Sequence, residues 1–125
     1  MDLDKALKEY NNTNKEITIS YELFKDLITV KLRGYIDTYN SIKFTNIINE
    51  FFNSLKFKIM IIDLEYITMM SSTGIGSMLE ISKKCATGNI KLYLLKMNRK
   101  VLDIFELLGF KSFFSIIDDV SQIRK

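Results

Sequence analysis

The sequence predicts an α/β domain: a mixed, mostly parallel sheet of about five strands, with crossover helices mainly on one face. Three observations lead there. After an opening pair of strands, helix-type and strand-type periodicities alternate along the chain, and such alternation joins parallel neighbours through right-handed crossovers. The run Phe57-Lys58-Ile59-Met60-Ile61-Ile62-Asp63-Leu64 is apolar on both faces, the pattern of a central strand. The 125 residues, 47% apolar and 26% charged, suit one globular domain, and they contain no proline and no internal repeat that would divide it.

The elements follow in order. Leu3, Ala6, Leu7 and Tyr10 recur at helical spacing until the polar run Asn11-Asn12-Thr13-Asn14 stops them. Residues 1–14 are therefore expected to form an N-terminal helical extension, with the main domain spanning 15–125. Ile17, Ile19 and Tyr21 alternate with Thr18 and Ser20, and Ile28, Val30 and Leu32 alternate with Thr29, Lys31 and Arg33, which gives two half-exposed strands around a short turn. Phe44, Ile48, Phe51 and Leu55 then make one helical stripe, and residues 57–64 are the central strand. Residues 72–86 return to helical spacing through Ile75, Met78 and Leu79, with Gly88-Asn89 where a left-handed residue should end the helix. Residues 90–95 form the next strand. Val101, Phe105 and Leu108 mark another helix with Gly109 at its C-terminal cap, followed by an apolar stretch at 113–117 and a closing helical turn over 118–125.

The central strand poses a packing question. Met60, Ile62 and Leu64 alternate with Ile59 and Ile61, so the two sets cannot face the same helices. The Leu3, Leu7 and Tyr10 stripe is expected to cover Met60, Ile62 and Leu64 on the sheet face away from the crossover helices; a partner is the other candidate for that face.

Composition removes several function classes. Histidine is absent and Cys85 is the only cysteine, which excludes zinc fingers, histidine general bases, Cys-His nucleophile pairs and disulfide frameworks. The reading is a non-enzyme with no metal and no cofactor. Cys85 falls within a helical pattern and reads as a small buried apolar residue. The net charge is +3 and the charges are interspersed apart from Lys83-Lys84 and Arg99-Lys100, so no nucleic-acid face forms. No apolar run reaches membrane-spanning length, and the start lacks a signal-peptide core, so the chain is expected in the cytoplasm.

Chemistry should gather at the loops after the carboxyl ends of parallel strands. Three are expected side by side: Ile36-Asp37-Thr38-Tyr39-Asn40, the 69–73 segment, and Lys96-Met97-Asn98-Arg99-Lys100. They offer a carboxylate, several hydroxyls, a cationic rim and Met69, Met70 and Met97, which serve either as adaptable contacts or as filling beneath the loops. The most informative stretch is Met69-Met70-Ser71-Ser72-Thr73-Gly74-Ile75-Gly76, where a strand hands over to a helix. A first helical turn leaves backbone N–H groups free and carries the positive end of the dipole, which suits a hydroxyl cap or a covalently attached phosphate. Gly74 and Gly76 also raise a small nucleotide-binding enzyme as a reading. Against it, the third glycine position is Leu79, Leu95-Lys96 ends the next strand where an acidic ribose partner is needed, and no Gly-Lys-Ser/Thr closes a phosphate loop. Both glycines are expected to serve close helix–sheet packing.

The segment Phe57-Lys58-Ile59-Met60-Ile61-Ile62-Asp63-Leu64 followed by Ser71-Ser72-Thr73-Gly74-Ile75-Gly76 resembles the core of STAS domains, found in bacterial anti-sigma factor antagonists and in sulfate transporters. Leu32-Arg33-Gly34-Tyr35-Ile36-Asp37-Thr38-Tyr39-Asn40-Ser41 is similar to the family's Gly-x-hydrophobic-Asp element. Val101-Leu102-Asp103-Ile104-Phe105-Glu106-Leu107-Leu108-Gly109-Phe110 resembles its last long helix and glycine. Order and spacing agree over residues 17–125.

The resemblance implies a STAS-like fold and a non-enzymatic switch. In that family a serine in an Asp-Ser-Ser/Thr-Gly turn is phosphorylated by a partner kinase, itself an anti-sigma factor or related regulator, which the phosphorylated antagonist then releases. By position the phosphoacceptor is Ser72, and the partner surface is Asp37, Thr38, Met70, Ser71, Ser72, Thr73, Gly74 and Met97. A serine phosphatase is a further partner the resemblance allows. Ser71 stands where the family usually has aspartate, so a phosphorylation-independent STAS scaffold, as in stress-signalling or lipid-transport complexes, remains the alternative. Read without the resemblance, the hydroxyls are helix caps and Asp37 forms a turn.

Overall fold

The five strands β1 (Ile17–Phe24), β2 (Leu27–Ile36), β3 (Ile59–Met70), β4 (Lys91–Leu95) and β5 (Ile116–Ile117) lie in sequence order in one sheet. The computed structural model describes residues 2–123. β1 and β2 form an antiparallel hairpin, and every later pair is parallel. Four α-helices accompany them: α1 (Leu3–Thr13), α2 (Ser41–Ser54), α3 (Ser72–Thr87) and α4 (Arg99–Leu107). This is the expected mixed, mostly parallel α/β architecture, with its helices on one face.

β3 is longer than its periodicity suggests. It continues through Met70, and its pairing with β2 slips twice, between Lys31 and Arg33 and again between Gly34 and Tyr35. Each slip adds a residue to β3 and breaks the period of two, so Leu64, Ile67 and Met70 all turn inward at spacings of three. The first bulge is held by Asp63, whose carboxylate accepts from the Glu65 N–H at 3.0 Å; at the second, Thr68 Oγ1 donates to the Gly34 carbonyl at 3.2 Å. On the other strand Gly34 has φ +127°, and a Cβ there would lie 2.0 Å from the Glu16 carbonyl oxygen. Only glycine fits that crossing, where the Tyr35 N–H donates to the same oxygen at 3.0 Å.

The expected placement of the N-terminal helix is corrected. Met60, Ile62 and Leu64 face the crossover helices, and α1 lies on that same side against β1 and α2, its Leu3, Ala6, Leu7 and Tyr10 joining one core with Ile17, Ile19 and Phe51. The reason is topological. A hairpin has no crossover helix, so the helix side of β1 would stand bare without α1. The opposite face carries Ile59, Ile61, Leu95 and Ile117, against which Leu27, Tyr93 and Ile123 pack.

The C-terminal region is also shorter in regular structure than expected. β5 keeps only Ile116 and Ile117, and the closing turn is a single 3-10 turn at Val120–Gln122, held by an Asp119/Gln122 capping box. The part of that expectation at Arg124 and Lys125 lies outside the described residues. α3 ends with Asn89 in the left-handed region at φ 58°, while Gly88 keeps a negative φ. Cys85 is buried, and desolvation pushes its thiol up to about 12. Among the described residues no helix is long and apolar enough to cross a membrane.

Candidate functional site

β2 and β3 end side by side, with Ile36 opposite Met70, and the chain turns out of the sheet at Ser71. The Ser71 N–H donates to the Ile36 carbonyl at 2.9 Å, and its Oγ accepts from the Gly74 N–H at 3.2 Å, so Ser71 is the N-cap of α3. Ser72 and Thr73, the first two helical residues, are exposed. Beneath them Gly74 is buried; a Cβ there would meet Met70 Cγ at 2.7 Å and the Ile36 carbonyl oxygen at 3.0 Å. Its bareness lets the first turn of α3 rest on the ends of β2 and β3. That turn carries no acidic side chain, so its positive dipole end is open to an added negative charge.

The loop after β2 stands beside it. The Asp37 carboxylate accepts from the N–H groups of Tyr39 at 2.9 Å and Asn40 at 3.0 Å. Asn40 closes the turn from inside, accepting from the Asp37 N–H at 2.8 Å and donating to the Tyr35 carbonyl at 2.9 Å. Asp37 therefore forms and holds a turn whose product is the placement of Thr38, with Oγ1 3.2 Å from Thr73 Oγ1. Thr38, Ser71, Ser72 and Thr73 make one hydroxyl-bearing ridge.

The third loop is set apart, contrary to the expectation of three adjacent loops. β4 pairs with β3 only as far as Asp63 and Leu95, and Asn98, which N-caps α4 by accepting from the Val101 N–H at 2.9 Å, donates to the Ile67 carbonyl at 2.7 Å. Ile67 precedes Ser71 by about 13 Å of extended strand. Met97 is half-buried against the core beside that loop. Two further site residues are also corrected. Met70 is 0% exposed, because β3 continues through it and it lies on the core face under α3, and Gly74 is sealed by Met70 and Ile36, so neither offers a surface.

The structure adds Ile42, which sequence reasoning passed over, to Tyr39 and Met69 of the expected loops. Tyr39 and Ile42 are 94% and 72% exposed at the entry to α2, and Met69 projects from the end of β3. A signal was present for Ile42: it lies off the Phe44, Ile48, Phe51 stripe, so a helix buried on that stripe must expose it. Gly76 was expected to pack helix on sheet, yet a Cβ there would meet nothing within 4 Å. It opens instead onto a groove of about 350 Å³ between α2 and α3, lined by Ser41, Ile42, Thr45, Thr73 and Ser77. Thr45 Oγ1 donates to the Ser41 carbonyl at 2.9 Å and lies 3.0 Å from Ser77 Oγ, tying the two helices beneath the groove.

Comparison with known proteins gives the family and the fold. The family model described as STAS domain matches residues 18–123, beginning within β1, so that α1 lies outside the match. A putative anti-sigma factor antagonist from Thermotoga maritima is similar at 20% identity over 83% of this chain and 89% of its own, with a TM-score of 0.71. An anti-sigma factor antagonist from Mycobacterium paratuberculosis gives 16% identity, coverages of 84% and 88%, and a TM-score of 0.73. The Bacillus cell fate determinant SpoIIAA in its phosphorylated form gives 15% identity, coverages of 84% and 95%, and a TM-score of 0.63.

Proposed function

This chain belongs to the STAS domain family, and from that premise we propose that it is an anti-sigma factor antagonist-like switch that binds a regulatory serine kinase and is released when Ser72 is phosphorylated. The observation that carries the reading is the position of Ser72: exposed, first in α3, above a turn locked by Ser71 and Gly74, and in a first turn free of acidic groups. In the unmodified state Thr38, Ser72 and Thr73 offer neutral hydroxyls flanked by the apolar Tyr39, Ile42 and Met69, a surface that a partner covers at little desolvation cost. A phosphate adds about −1.5 to −2 charge there. The dipole of α3 accommodates it within the domain, whereas a close-packed partner must desolvate it. The domain supplies the acceptor hydroxyl and the contact surface, and the kinase supplies the nucleotide chemistry.

The test pairs mapping with binding, using a serine kinase of the anti-sigma factor type from the same genome. Incubation with that kinase and ATP is expected to place phosphate on Ser72 alone, and chain carrying phosphoserine at 72 is expected to bind it at least about tenfold more weakly than the unmodified chain. Modification at Ser71 or Thr73, or equal affinity of the two forms, overturns the reading. The alternative of a phosphorylation-independent scaffold rests on one observation: Ser71 caps α3 with an uncharged hydroxyl where the family usually presents a carboxylate. On that alternative Ser72→Ala and Ser72→Asp bind the partner equally.

A further inference from the structure

We propose that the outer edge of β1 is a pairing surface for a second copy of this chain, and that α1 holds it closed through the side-chain amide of Asn11. The direction of the β1 backbone groups follows from its register. Glu16 lies opposite Tyr35 and accepts its N–H, and hydrogen-bonded pairs recur every second residue in an antiparallel ladder, so Thr18, Ser20 and Glu22 spend their N–H and C=O groups on β2. Those of Ile19, Tyr21 and Leu23 point outward. At Ile19 both are taken: Asn11 Nδ2 donates to the Ile19 carbonyl at 2.8 Å, and Asn11 Oδ1 accepts from the Ile19 N–H at 2.8 Å. A primary amide presenting one donor and one acceptor to one residue reproduces what a neighbouring strand would present there. At Tyr21 and Leu23 no hydrogen bond reaches the outward backbone groups among the described residues. A groove of about 390 Å³ between α1 and β1, lined by Leu7, Lys8, Asn11, Ile19 and Tyr21, leaves the edge approachable.

The occupant that fits is β1 itself, related by a two-fold axis through Tyr21. Antiparallel pairing about that axis sets Tyr21 against its own copy and Ile19 against Leu23, each exchanging two backbone bonds. It also sets Ser20 against Glu22 and Thr18 against Phe24, so within β1 no like charges are opposed and the exposed Phe24 gains cover. Asn11 occupies Ile19 and therefore blocks both Ile19–Leu23 pairs, leaving only the central one. The bond from Tyr21 Oη to Asp4 Oδ1 at 2.8 Å is a second tie between α1 and β1. Exposed strand edges commonly need such protection, and here a helix side chain provides it.

Sedimentation over a concentration series tests the proposal. Asn11→Ala favours the helix, so α1 is retained while the amide is lost. The variant is expected to dimerise with a dissociation constant lower than that of the native chain by about tenfold or more. Adding Leu23→Pro, which removes an outward N–H from an edge strand, is expected to restore the native monomer–dimer balance. Association that Leu23→Pro leaves intact, or no gain in association for Asn11→Ala, overturns it. Hydrogen exchange of the native chain is an independent readout. The Ile19 amide should be protected and those of Tyr21 and Leu23 should exchange rapidly; equal rates at all three overturn the closure by Asn11.

Discussion

Gly74 and Gly76 sit two residues apart in one helix, and alanine at each should move stability in opposite directions. At Gly76 nothing lies within 4 Å of the new Cβ, so Gly76→Ala adds no clash. The helix gains the propensity difference between glycine and alanine, about 0.8–1 kcal/mol in a helix interior. For a domain of this size that corresponds to roughly 3–6 °C in melting temperature. At Gly74 the same substitution places Cβ 3.0 Å from the Ile36 carbonyl oxygen and 2.7 Å from Met70 Cγ. Met70 is fully buried and cannot swing away, and Ile36 cannot retreat without stretching its 2.9 Å bond from the Ser71 N–H. Overpacking of this kind costs about 1–3 kcal/mol, which outweighs the smaller propensity gain available in a first turn. Paired urea or thermal unfolding reads both changes. A destabilised Gly76→Ala, or a Gly74→Ala at least as stable as the native chain, would refute the packing argument. If Gly76 is bare so that a partner can approach the α2/α3 groove, Gly76→Ala should also weaken kinase binding while strengthening the fold.

Three further outcomes are expected. Burial raises the Cys85 thiol from its ordinary 9.0 to about 12 and also raises the Tyr10 phenol, so the folded state disfavours both anions; that stability is complete below pH 9.0 and is lost as pH rises through the folded values. Urea midpoints should therefore fall in alkali, less steeply in Cys85→Ala, and the native thiol should stay unreactive to alkylating reagents at neutral pH. Asn98→Ala removes both the cap of α4 and the 2.7 Å tie to Ile67, and should cost about 1–2 kcal/mol in chemical denaturation with no change in kinase binding. Ser71→Asp keeps an N-cap acceptor and adds the family's carboxylate, so it should preserve stability and strengthen kinase recognition by about 1.5–3 kcal/mol if a charge-assisted bond is restored; unchanged phosphorylation and affinity would show that the partner does not read this position.

Much of the fold was legible because its determinants are local. Alternating Ile17, Ile19, Tyr21 and the Phe44, Ile48, Phe51 stripe each declare their period, and Ser71, Ser72 and Thr73 declare a helix start. What was not legible depends on contacts between distant segments. The β3 bulges arise from pairing with β2, so the period of two ends at Leu64 while the strand continues to Met70. An amphipathic stripe on α1 states that one face is buried and says nothing of which sheet face buries it. The hydrogen bond joining Thr38 to Thr73 spans the whole β2–α2–β3 crossover, and no spacing rule predicts it. Met70 reads as a loop residue only where the strand is ended at Leu64; six residues further on, with two bulges that cancel, it lies on the same core face of β3.

The locking of the 71–74 turn bears on how a switch there must work. Ser71 is held at both ends, by the Ile36 carbonyl and by the Gly74 N–H, and Gly74 is wedged against Met70 and Ile36. A side chain carried on such a base gains a charge without dragging the backbone with it, because interiors packed at this density resist continuous deformation. The neighbouring loop is equally fixed, since Asp37 and Asn40 satisfy each other's turn before any partner arrives. If Ser72 is modified on so firmly held a base, the discrimination between the two states is expected to reside in the partner's ability to desolvate the ridge. Affinity would then respond steeply to the charge at Ser72 and weakly to the stability of the domain. A conformational switch would need the reverse: a turn poised between two arrangements, with Gly74 free enough to permit both.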